Sequence, residues 1–367
     1  MTRRIYLDHA ATTPVLPAAR SAMVEALERW ANPSSPHGEG RAARAALNDA
    51  RRRIAAALGW NGELIFTATA TEAAALAFAR CWRQGPKPAL STVEHDAVRA
   101  QAPEEERWNL PVGGDGLLHP ASLSEWLHLA PGGLVAVQHC NSETGVIQPI
   151  AAIGEAVDAA GSYLLVDCAQ SAGKIPLPPA DLLIVSSSKV GGPPGAAALL
   201  VRDLGLLVPT GGQERGYRRG TENLPAILGW AAALEAQAWD LQQLFWLRIE
   251  LEGRLAAHGG VPICGGEVIE INDPMRSPAI GAYYMPGMSA MAQLVRLDSM
   301  GFAVSAGSAC SSGSNRPSHV MNALGLDPAF AGNVIRVSFG PNTTIEDVMT
   351  FADAWIALAE EARARAA

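Results

Sequence analysis

Apolar runs alternate with amphipathic stretches through the first two thirds of the chain. "ELIFTAT" (63–69) predicts a strand, followed by an alanine-rich helix from Thr71. "LVAVQHC" (134–140) predicts a buried strand, and "PIAAIGEAVDAAG" (149–161) an amphipathic helix closed by a glycine. "SYLLVDC" (162–168) and "DLLIVSSS" (181–188) are apolar runs that end in polar residues, and "GAAALLVR" (195–202) follows a Gly/Pro turn. Such alternation predicts an α/β fold with a mostly parallel sheet covered on both faces. A long helical stretch, about 223–258, then leads to "VIEIND", "GAYYMP" and "VIRVSF", the pattern of a smaller α+β domain. The pattern contains no internal repeat and no low-complexity linker.

In an open parallel sheet, ligands lie off the carboxyl ends of the strands. The polar residues that end the apolar runs are therefore the candidates. Asp167 ends one run, Gln170 follows it, and Lys189 follows the next. A carboxylate and a lysine at neighbouring strand ends suit pyridoxal phosphate. Its aldehyde condenses with an amine, and its ring nitrogen needs an acid partner. The two residues alone fit a partly buried ion pair equally well. Ala70 and Thr71 fall where a strand gives way to a helix, a place for a phosphate or for a plain helix cap by Thr71. His95, in "STVEHDAV", could stack on an aromatic ring. Asn141 offers a neutral amide, and the planar fork of Arg336 suits a carboxylate such as that of an amino acid.

Composition narrows the picture. The 367 residues suggest a large domain plus a smaller one. A net charge of -8 argues against a nucleic-acid partner and against an anionic membrane surface. The opening "MTRRIYLDHAATTP" lacks the apolar core of a signal peptide, and no apolar run approaches the ~18 residues of a membrane span. The five cysteines form no CxxC pair, so neither a metal site nor a disulfide framework is expected. The expectation is a cytoplasmic protein with free thiols. Among 28 basic residues only Lys87, Lys174 and Lys189 are lysines. Where arginine supplies ordinary positive charge, a retained lysine points to chemistry that a guanidinium cannot do. One cysteine stands apart: Cys310, in "SAGSACSSGS" (305–314), sits among small polar residues.

Ten stretches taken together resemble the cysteine desulfurases, pyridoxal-phosphate enzymes of the class V aminotransferase group. They are "YLDHAATTP", "NPSSPHGEGR", "TATATEA", "EHDAV", "NSETGVIQPI", "VDCAQSAGKIP", "SSSKVGGPPGAAAL", "GGQERGYRRGTEN", "SAGSACSSGS" and "IRVSFGPNTT", in the family's order over nearly the whole chain. The resemblance implies the fold type I architecture of such transferases. A large cofactor-binding domain would span 14–244, and a small domain of 1–13 and 245–367 would carry the cysteine loop. It implies that Lys189 holds the cofactor covalently and Asp167 pairs with its ring nitrogen. Gln170 and Asn141 would bond its ring hydroxyl, and His95 would stack on the ring and move protons. Ala70, Thr71, Ser186 and Ser188 would hold the phosphate, together with Thr221 from the neighbouring subunit of a homodimer. Asn141 and Arg336 would hold the carboxylate of L-cysteine. Cys310 would take the sulfur as a persulfide and pass it to an acceptor protein, for iron–sulfur assembly or thiolation.

The chain departs from the family pattern at several points. Ser188 stands where histidine is usual, Pro194 replaces a lysine, His9 replaces asparagine or tyrosine, and "TATATEA" replaces a Ser-Gly motif. Two rival readings stay open at this point. One is a selenocysteine lyase or other class V enzyme. The other is a catalytically weak homologue that binds partners in a sulfur-transfer assembly.

Overall fold

A computed structural model describes residues 4–264, 276–307 and 318–366, without the side chains of 80–84 and 366. "VIEIND" and Cys310 lie outside the described residues. Among the described residues, twelve strands run in chain order: β1 (Ile5–Tyr6), β2 (Glu63–Thr67), β3 (Ala89–Ser91), β4 (Trp108–Leu110), β5 (Leu134–Gln138) and β6 (Tyr163–Asp167). They continue with β7 (Leu182–Ser186), β8 (Ala197–Val201), β9 (Val261–Pro262), β10 (Ile280–Tyr284), β11 (Phe302–Ala303) and β12 (Val334–Ser338).

Seven of them form one sheet in the order β2-β8-β7-β6-β5-β3-β4. Only β8 runs against its neighbours, so the sheet is mostly parallel. Strand alternation divides its side chains between two cores. Val135, Val137, Leu164, Val166, Leu183 and Val185 pack on one face with Leu47, Ile54, Trp126 and Trp230. Leu134, Ala136, Leu165, Leu182 and Ile184 pack on the other with Ala73, Ala77 and Phe78. Burial on both faces is why these strands read as unbroken apolar runs.

A second unit follows. β9, β10 and β12 form an antiparallel sheet, and β1 pairs in parallel with β11. Helices Leu241–Ala257 and Ile345–Ala366 cover it, with Leu251, Phe351 and Trp355 in its core. The pairing of β1 brings Leu7 into the same core. The long helix expected over 223–258 is two helices, Leu224–Glu235 and Leu241–Ala257. The chain breaks at Gln237, whose φ is +44°, and restarts at Asp240, whose carboxylate accepts from the Gln243 N–H at 3.0 Å. Aspartate three residues ahead of a donor is a strong helix start, and here it overrides the continuous apolar pattern. Among the described residues no helix is long and apolar enough to cross a membrane.

Candidate active site

The carboxyl ends of β5, β6 and β7 point into one cavity of about 240 Å³. Gln138 ends β5 and sits in register with Asp167, which ends β6. Beyond β7 the chain enters a short 3-10 turn, Ser187–Lys189, that carries Lys189 toward Asp167. Gly192 allows the chain to fold back here, since a Cβ at that position would lie 2.1 Å from the Ser187 hydroxyl. Ala70, Thr71, His95, Ser142, Gln170, Ser186, Ser188 and Arg336 also line the cavity.

Asp167 is buried, and its Oδ1 accepts from the Ala169 N–H at 2.9 Å. Burial raises its pKa, against the pull of that N–H and of the nearby His95 and Lys189. Gln170 donates through Nε2 to the Ala10 carbonyl at 2.8 Å, while its Oε1 is buried without a partner among the described residues. His95 caps the short helix Asp96–Arg99: its Nδ1 accepts from the Ala97 N–H at 3.1 Å. An accepting Nδ1 leaves the ring proton on Nε2. Ser186 and Ser188 bring their hydroxyls within 3.3 Å of each other. Behind the site lies the buried Glu94, whose Oε1 accepts from the Gln138 N–H at 2.6 Å. Burial, with Asp167 nearby, raises its pKa well above the carboxylate range.

The helix start at the edge of the cavity differs in detail from the sequence reading. The helix runs Ala70–Gln84, and its cap is Thr69, whose hydroxyl accepts from the Glu72 N–H at 3.1 Å. Thr71 is thereby left to the cavity. Both Ala70 and Thr71 lie in the first turn, where backbone N–H groups have no acceptor within the helix.

Two of the residues singled out from the sequence lie off this lining. The Asn141 side chain is held within its own turn. Its Oδ1 accepts from the N–H groups of Glu143 and Thr144, each at 2.9 Å, and its Nδ2 donates to the Val93 carbonyl at 3.3 Å. The turn presents Ser142 to the cavity instead. Thr221 is exposed and does not line the cavity of its own chain. Cys310 lies outside the described residues. The start of its motif is described: Ser305 exchanges two backbone hydrogen bonds with Arg336, at 2.6 and 3.2 Å.

Sequence reasoning missed Ala10 and Ala11. They contribute carbonyl oxygens, which no side-chain pattern can signal, and Lys189 donates to that of Ala11. Gly340 leaves room for the His9 ring, since a Cβ there would lie 1.9 Å from it. Burial and the nearby Lys174 lower the His9 pKa to about 4. Lys174 lies 4.3 Å from the centre of the Trp239 ring, and burial lowers its pKa to about 8. Lys87 is on the surface, donating to the Glu105 carbonyl at 2.7 Å. Cys140 and Cys168 are buried, and burial pushes the Cys140 thiol up to about 12 and raises that of Cys168. Cys264 is half-buried and pushed up to about 11.

A lysine, a buried acid and an arginine share one cavity at the ends of parallel strands, and the family model for class-V aminotransferases matches residues 5–351. The chain belongs to the class-V aminotransferase family. A cysteine desulfurase of Cereibacter sphaeroides is 35% identical over 370 residues, covering 94% of this chain and 93% of that protein. The solved NifS-like protein of Rickettsia africae has a TM-score of 0.87 at 28% identity, covering 98% of this chain and all of that one. A structure described as SspA in complex with cysteine has a TM-score of 0.76 at 30% identity, with 92% and 99% coverage. Within its family the chain therefore stands with the cysteine desulfurases.

Proposed function

We propose that the protein is a pyridoxal-phosphate-dependent cysteine desulfurase in which Lys189 holds the cofactor and Cys310 receives the sulfur. The observation that carries this reading is the convergence of Lys189, Asp167, His95, Gln170 and Arg336 on one cavity.

The residues present fit the cofactor. The buried Oε1 of Gln170 has no donor among the described residues, and a ring hydroxyl would supply one. The carboxyl of Asp167, raised by burial, is stabilised as a carboxylate by a cation at its side, and a protonated ring nitrogen is such a cation. The hydroxyls of Thr71, Ser186 and Ser188, with the backbone N–H groups at Ala70 and Thr71, offer donors for a phosphate. When bound, pyridoxal phosphate supplies an electron sink for breaking bonds at an amino acid.

The chain's own residues divide the remaining work. Lys189 supplies the amine that anchors the cofactor. Arg336 offers its guanidinium to the substrate carboxylate. Asp167 keeps a positive charge at the ring nitrogen. His95, with Nδ1 engaged by Ala97, presents Nε2 for proton transfer. The Cys310 thiolate attacks the cysteine sulfur: the carbon–sulfur bond breaks, a sulfur–sulfur bond forms, and a proton goes to the substrate carbon. The products are L-alanine and a persulfide on Cys310. The raised thiols of Cys140, Cys168 and Cys264 support this choice, because the thiolate is the nucleophile. In this reading the protein works in the cytoplasm as a homodimer in which Thr221 reaches the partner's phosphate site. An acceptor protein takes the sulfur onward, for iron–sulfur assembly or thiolation.

Treatment of the holoenzyme with L-cysteine, followed by mass spectrometry, tests the reading. One added sulfur on the peptide containing Cys310, with alanine released, is the expected result. Sulfur on Cys81, Cys140, Cys168 or Cys264, or no alanine, would overturn it.

A further inference from the structure

We infer that Asp8 is a positioning residue for the substrate carboxylate, acting through Arg336; the inference rests on the function proposed above. Arg336 is buried in the middle of β12, and its guanidinium reaches the cavity. Among the described residues, two hydrogen bonds fix how that group is turned. Nη2 donates to Asp8 Oδ1 at 2.7 Å, and Nη1 donates to the Ser142 carbonyl at 3.0 Å. The Nε is buried without a partner among the described residues. A guanidinium is a flat fork, so two anchors on different nitrogens set its plane and the direction of its remaining N–H groups.

Asp8 is itself held firmly. It forms a backbone bridge with Ser338, two residues beyond Arg336 on the same strand. Ser338 donates its N–H to the Leu7 carbonyl at 2.8 Å, and the Tyr6 hydroxyl donates to the Asp8 carbonyl at 3.2 Å. Carboxylate and guanidinium are thus tied to one strand, and their relative position follows from its register. The Ser142 carbonyl alone would leave the fork free to turn about a single bond. Asp8 also offsets part of the charge of the buried arginine before substrate arrives.

The role makes a selective prediction. Loss of Asp8 should weaken ligands that carry a carboxylate and spare those that do not. L-cysteine and cysteamine form a suitable pair, since cysteamine has the thiol and amine of cysteine without its carboxylate. Both are titrated against the holoenzyme by the change in visible absorption of the cofactor. Asp8→Ala should raise the half-saturating concentration of L-cysteine by about tenfold or more, the scale of one lost charge-assisted contact, and leave that of cysteamine within about twofold. Asp8→Asn, which keeps an acceptor oxygen for Nη2, should show the same selectivity with a smaller loss. Equal weakening of both ligands, or unchanged L-cysteine binding in Asp8→Ala, would overturn the inference. Arg336→Ala separates this failure from that of the underlying reading. If Arg336→Ala loses L-cysteine selectively and Asp8→Ala does not, the inference fails and the reading stands. If Arg336→Ala keeps the wild-type preference for L-cysteine, both fail.

Discussion

The amine of Lys189 donates to the carbonyl oxygen of Ala11, 178 residues away in sequence. The contact joins the N-terminal segment to the turn after β7. Thr13 strengthens the junction, donating its N–H to the Ser188 carbonyl at 2.9 Å and its hydroxyl to the Lys189 carbonyl at 3.2 Å. The Ala11 carbonyl thus holds the lysine in the cavity, whose lining also includes Asp167.

Replacing Asp167 separates cofactor binding from turnover. Asp167→Asn keeps an oxygen for the Ala169 N–H but cannot stabilise a positive ring nitrogen. The variant should retain cofactor absorption while alanine formation falls roughly 100-fold or more, the scale of losing one electrostatic stabiliser. Turnover near the wild-type rate would contradict the role given to this carboxylate.

Acid stability carries the signature of a buried histidine. Burial lowers the pKa of His139 to about 4, against an ordinary 6.5. Below pH 6.5 the unfolded chain takes up a proton that the folded one refuses until about pH 4. The stability from this group is thus present at neutral pH and lost as pH falls through that window. At pH 5 the loss is on the order of 2 kcal/mol. Buried acids with raised pKa, Asp167 and Glu94 among them, act with the opposite sign, so the comparison is made between variants. Denaturant unfolding at about pH 7.5 and pH 5 should show His139→Asn losing about 2 kcal/mol less than wild type. An unchanged pH dependence would refute the assignment.

Much of the fold was legible because its signals are periodic. The central strands are covered on both faces, so they stand out as apolar runs, and their polar ends marked Asp167, Gln170 and Lys189. The failures have physical causes. The interruption between Leu224–Glu235 and Leu241–Ala257 rests on one left-handed residue, Gln237, inside an apolar helical pattern. Thr69 and Thr71 are equally good cap residues by type, and only the path of the backbone decides between them. Asn141 stood out because its amide is versatile, while the hydrogen bonds that hold that amide within its own turn carry no sequence signal. Asp8 carried no signal, because its partner Arg336 lies 328 residues away.

In the proposed reading, Ser188 limits the strength of cofactor binding. Its hydroxyl and that of Ser186 are neutral donors 3.3 Å apart, at a position where the resembling family carries histidine. Ser188→His should tighten cofactor binding about tenfold by adding a donor that can carry charge. Titration of the apoprotein by visible absorption measures it. Equal or weaker binding would show that serine is not the limiting group.

Thr221 tests the subunit arrangement. It is exposed in the single chain, in a loop where Arg218 donates to the Gly220 carbonyl at 3.0 Å and pairs with Glu72. If it serves the partner's phosphate site, Thr221→Ala should weaken cofactor binding about tenfold, the scale of a hydrogen bond to a charged group, in a protein that sediments as a dimer. A fully active monomer would contradict the arrangement.

In the proposed reading Lys189 holds the cofactor. Borohydride reduction of the holoenzyme, followed by peptide mapping, tests it most directly. A pyridoxyl group is expected on the peptide containing Lys189 and absent in Lys189→Ala. A pyridoxyl group on Lys174 or Lys87 would contradict it.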